Sequence, residues 1–84
     1  MSTMAIYNRL KILIAEKELR EKRKLPYRTL AQETGISTAT WTLYMSQKAD
    51  RVDLRTLDAL CDYFGVQPGD ILIRTENPPD TPEP

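Results

Sequence analysis

The sequence predicts an all-α fold, a compact five-helix bundle, on three observations. Apolar residues recur three and four positions apart through most of the chain, Pro26, Gly35, Gly65 and Pro68 punctuate those stretches, and polar capping residues stand before several of them. With 84 residues there is room for one domain, and most of the larger apolar side chains must join one core. We expect that domain over residues 1–74 and a disordered, Pro-rich acidic tail over residues 75–84.

The first helix is expected over residues 6–23, where Ile6, Leu10, Leu13 and Ile14 share a face. Its charged end, EKELREKRK, offers Glu16 to Arg20 and Glu18 to Lys22 as ion pairs one turn apart, the pattern of a solvated helix face. Pro26 disfavours helical geometry at Leu25 and suits the opening of a second helix, which runs through Leu30 and Ala31 to about Thr34. Gly35 follows where the chain must turn through positive φ. Ser37 then caps a third helix over residues 38–46.

QKADRVD is a polar connector, and Asp53 caps a fourth helix. Leu54, Leu57, Leu60, Cys61 and Phe64 form its apolar stripe, and Gly65 stops it. Gln67 and Pro68 open a short fifth helix, PGDIL. Four prolines in TENPPDTPEP leave that segment almost nothing to bury.

Composition excludes several function classes. One Cys and no His rule out a disulfide framework, a zinc finger and most His-based catalysis. Cys61, on an apolar helix face with no basic neighbour, reads as a buried inert thiol. The longest aliphatic run, ILIA, is far short of the roughly 18 residues a spanning helix needs, so we expect no membrane insertion and a cytoplasmic location. No P-loop, metal-ligand cluster or nucleophile–base pair is present. Asp58 and Asp62 lie one turn apart on a solvated face, which calls for no catalysis. We therefore expect neither an enzyme nor a bound cofactor or metal.

The formal charge is zero, yet residues 1–28 hold eight Lys or Arg against three acids, and residues 58–84 one Arg against six. A neutral chain with that asymmetry can turn a basic end toward phosphates.

The third helix carries the functional reading. At about 100° per residue Trp41, Tyr44 and Met45 cluster on one side, with Thr40 at its margin, and that side must face the core. Thr38, Ala39, Thr42, Leu43 and Ser46 then face outward, uncharged and mostly small. Such a face lets a helix sit deep in a major groove, where hydroxyls reach base edges and methyl groups pack on thymine. It lacks the bidentate Arg or Asn/Gln pairs worth about 1–3 kcal/mol of discrimination each, so its selectivity should be modest. Lys48 and Arg51 past the helix end, and Tyr27, Arg28 and Gln32 on the second helix, are placed to grip phosphates on either side.

YRTLAQETGIS, the connector and DLRTLDALCDYFGVQPGDIL together resemble the helix-turn-helix domain of the Cro/C1-type (XRE-like) repressors, over about residues 6–73. Leu30, Ala31, Gly35, Ile36, Trp41 and Tyr44 stand at the family's buried and turn positions. The resemblance implies a lambda-repressor-like five-helix fold whose third helix reads double-stranded DNA, often as a homodimer on a palindrome. Carried over by position, Thr38, Ala39, Thr42 and Leu43 would face bases, while Tyr27, Arg28, Gln32, Ser37, Lys48 and Arg51 would lie along the backbone. Three departures stand out: Gln47 where many members have Gly, which bears on the turn there; Thr34 for an aliphatic residue; and a longer REKRKL linker.

The function expected is a sequence-specific transcriptional regulator, a repressor acting by occupancy, with some preference for A·T-containing sites. No small-molecule effector is expected, because no second domain exists to hold one. The competing reading is a protein-interaction module, antitoxin-like or anti-repressor, with Leu43 at the centre of an uncharged face. ILIR and Leu43 are the segments that would pair subunits.

Overall fold

The computed structural model describes residues 6–74; the expected tail, residues 75–84, lies outside them. The order is β1 (Ile6–Asn8), α1 (Leu10–Glu21), α2 (Tyr27–Thr34), α3 (Thr38–Met45), α4 (Leu54–Phe64), α5 (Pro68–Ile71) and β2 (Leu72–Arg74). The five predicted helices are all there, with a two-stranded sheet added.

That sheet corrects the expected start of the first helix. Ile6, Tyr7 and Asn8 are extended and pair antiparallel with Arg74, Ile73 and Leu72. The Asn8 side-chain oxygen accepts from Leu10 N–H at 3.1 Å, so α1 begins only after it, and Arg9 N–H is drawn to Ile71 C=O at 2.8 Å. One edge of Leu72–Arg74 is thereby occupied within the chain rather than by a second subunit.

The expected pairs Glu16–Arg20 and Glu18–Lys22 do not form. Lys22 takes up left-handed backbone at φ 58°, and the chain reverses there. The reversal brings Leu25 N–H to the Glu18 carboxylate at 2.7 Å. Among the described residues the ion pairs are Lys17–Glu21, Arg23–Glu21 and Arg23–Glu33. Arg23 grips Glu33 through both terminal nitrogens, and Tyr63 donates to the same carboxylate at 2.6 Å. The result ties the end of α1 to α2 and α4.

Leu10, Leu13, Ile14, Leu25, Leu30, Ile36, Trp41, Tyr44, Leu60, Phe64 and Ile71 make one core. Trp41 is its centre, fully buried, with its indole edge-on to Phe64. Leu54 departs from the predicted stripe: it is 81% exposed at the first position of α4, whereas Leu57, three residues on, packs against the core. Cys61 is half-buried beside the core, and burial, with Asp58 and Asp70 nearby, pushes its thiol pKa up and keeps it protonated.

Candidate nucleic-acid interface

Local chemistry places α2 and α3. Pro26, extended at ψ 164°, stands immediately before α2 and provides no side-chain acceptor for its first amides. The helix ends at Gly35, whose φ of 79° is the left-handed backbone that glycine reaches without strain. Thr34, the departure from an aliphatic residue, works at this corner: its hydroxyl donates to Leu30 C=O at 2.6 Å and accepts from Ile36 N–H at 3.1 Å. Ile36 can therefore enter the core without leaving its amide unpaired. Ser37 then caps α3 through Thr40 N–H at 3.2 Å.

The far end of α3 settles the question raised by Gln47. Gln47 N–H donates to Tyr44 C=O at 3.0 Å and Lys48 N–H to Leu43 C=O at 3.4 Å, the paired bonds of a Schellman stop. Gln47 itself is left-handed at φ 63°, so the turn usual for Gly is kept with a side chain in place.

With both ends fixed, the faces of α3 are set by burial. Trp41 is 0% and Tyr44 8% exposed, whereas Thr38, Ala39, Thr42 and Leu43 all lie on the surface, Leu43 at 46%. The hydroxyls differ in what they have left to offer. Thr42 Oγ1 donates to Thr38 C=O at 2.9 Å, so it presents lone pairs and a methyl group outward. Ser46 Oγ donates to Leu43 C=O at 2.7 Å. Thr38 makes no side-chain hydrogen bond among the described residues and keeps both donor and acceptor capacity. Ser37 Oγ donates to Thr40 Oγ1 at 3.0 Å while capping, which leaves it little to give a phosphate.

Tyr27, Arg28, Gln32, Lys48 and Arg51 are all exposed, and Arg28, Lys48 and Arg51 form no ion pair among the described residues. Lys17 and Arg23 contrast with them, being held by Glu21 and Glu33. Asn8 is the residue the sequence reading missed. It is the one buried polar side chain among those described, and its Nδ2 donates to Tyr44 C=O at 2.8 Å, at the end of α3. The available signal was an Asn two positions before the first residue of an apolar helical run, the spacing at which an Asn side chain accepts from an amide two residues on.

No group of His, Cys, Asp and Glu among the described residues could hold a metal ion, and no helix there is long and apolar enough to cross a membrane.

Residues 9–77 match the family model of the Cro/C1-type HTH DNA-binding domain. The chain is also 35% identical over 69 residues to the uncharacterized HTH-type transcriptional regulator YozG of Bacillus subtilis (strain 168), spanning 82% of this chain and 75% of that protein. No solved structure matches it.

Proposed function

The chain belongs to the Cro/C1-type helix-turn-helix DNA-binding family, a family of transcription regulators that bind double-stranded DNA, and on that premise we propose that it is a sequence-specific repressor with α3 as its reading helix. The observation that carries the reading is the division of α3: Trp41 and Tyr44 fill the core, and Thr38, Ala39, Thr42 and Leu43 remain outside. Short side chains let the helix axis approach the floor of the major groove. Thr38 can donate to or accept from a base edge, Thr42 can accept, and the Ala39, Thr42 and Leu43 methyl groups suit thymine.

Affinity comes from around that face. Arg28, Lys48 and Arg51 meet phosphates as uncommitted cations, with Tyr27 and Gln32 as neutral donors. The uncapped first turn of α2 leaves amides that suit an anion as well. Ser37 contributes by fixing α3 rather than by gripping the backbone, since its hydroxyl is engaged within the helix end. The mechanism is occupancy of a promoter from the cytoplasm, with no catalytic step and no bound effector, by a two-fold dimer on a palindromic site.

The exposure of Leu43 in the middle of an uncharged face supports one other reading, a module that binds a protein through α3. Heparin retention at low salt and a mobility shift with random duplex DNA separate the two. Retention and a shift that weaken with salt are expected; failure in both assays transfers the face to a protein partner.

A further inference from the structure

Gln47 occupies a position that strains any residue with a Cβ, and its side chain does something glycine could not. Its Oε1 accepts from Asn8 N–H at 3.0 Å and its Nε2 donates to Asn8 C=O at 3.0 Å. The side-chain amide thus copies a peptide group of a neighbouring strand and pairs with β1 at Asn8. Asn8 returns the contact with its own amide, which donates to Tyr44 C=O at 2.8 Å, while its Oδ1 accepts from Leu10 N–H at the start of α1. Tyr44 C=O therefore receives Asn8 Nδ2 and Gln47 N–H together. The whole arrangement is half-buried or buried, so each bond is shielded from competing water.

We propose that Asn8 and Gln47 are positioning residues for DNA recognition: a clasp of reciprocal amides that ties the C-terminal end of α3 to β1 and holds the reading face in one orientation. The proposal rests on α3 being the helix that enters the groove. β1 is in turn paired with β2, and Arg9 N–H bonds Ile71 C=O, so the clasp connects α3 to the opposite end of the chain. Rocking of α3 against the domain has to break these bonds. Base readout needs side chains held to about half an ångström, whereas phosphate contacts tolerate more movement. Loosening the clasp should therefore cost selectivity before it costs general affinity.

The test uses Gln47→Gly and Asn8→Ala in the full chain. Glycine fits φ 63° and removes the amide without disturbing the turn, so Gln47→Gly is the variant that stays folded. Dissociation constants are measured on the duplex that the wild-type chain selects from a random pool and on random duplex. The expected result for Gln47→Gly is an unchanged melting temperature to within a few degrees, binding to the selected duplex weakened by about ten-fold, and binding to random duplex nearly unchanged. Asn8→Ala, which also removes the bond from Asn8 Nδ2 to Tyr44 C=O, should lower the ratio further. A folded Gln47→Gly protein with an unaltered ratio, or with equal loss on both duplexes, overturns the positioning role. If the wild-type chain selects no duplex at all, the reading of α3 fails first and takes the clasp's role with it.

Discussion

Trp41 and Phe64 meet edge to face, their ring centroids 6.5 Å apart and their planes at 80°, and this contact seats α3 on α4. The indole N–H has no hydrogen-bond partner among the described residues, although it is buried. Trp41→Ala should therefore cost about 3–5 kcal/mol, the range for emptying an aromatic site. Trp41→Phe should cost on the order of 1 kcal/mol, because it removes the unpaired polar group along with part of the ring. Urea denaturation at constant slope measures both, and equal losses would contradict the account of the indole N–H.

Glu33 makes stability depend on acid. Hydrogen bonds from Arg23, and then from Tyr63, hold its carboxyl pKa down at about 2, against 4.5 for the free group. A depressed folded pKa means that the unfolded chain takes up the proton first. The stabilisation is complete above about 4.5 and disappears as pH falls toward about 2. Glu33→Gln should lower the melting temperature at neutral pH and flatten its decline over that window. A carboxyl resonance of Glu33 titrating near 4.5 would contradict this.

Gly35→Ala isolates the turn between α2 and α3. Apart from Gly35 itself and its two chain neighbours, nothing lies within 4 Å of where the added methyl group would sit, so the cost comes from the left-handed backbone at φ 79°. We expect a loss of about 1–2 kcal/mol by chemical denaturation, with the helix content of the folded state unchanged. A cost near zero would mean that the turn relaxes to another conformation.

Lys48→Ala and Arg51→Ala test the proposed phosphate contacts. Each should weaken binding to selected and random duplexes alike and reduce the slope of log K against log salt by about 0.9. Binding isotherms at several salt concentrations check this. Unchanged affinity in both variants would mean that the domain docks in another orientation.

The faces of α3 were legible in the sequence because Trp41 and Tyr44 share one side of the helix, and burying two large aromatic residues removes far more apolar surface from water than burying the small residues opposite. Capping chemistry was equally clear: Ser37, Asp53, Gly35 and Gly65 all act as their residue types require. The strands were not legible. Ile6 lies four residues before Leu10, which imitates a helical stripe, and three-residue strands are too short for an alternating pattern to show. Leu54 shows a similar limit, since spacing puts a residue on a face but not within the length of that face that meets the core. Gln47 looked like a departure from the expected turn because the family pattern records the backbone requirement and not the pairing its side chain makes with Asn8.

Selection from a random duplex pool by the wild-type chain, Thr38→Ala and Thr42→Val tests the proposal that the small outer face of α3 reads base sequence. Thr42→Val keeps methyl bulk and deletes the outward oxygen, and Thr38→Ala removes the uncommitted hydroxyl. The wild-type chain should enrich one duplex sequence, each variant should change the preferred base at its own position, and affinity for random duplex should stay within about two-fold. Enrichment of the same sequence by all three proteins, with equal affinity, would contradict the claim.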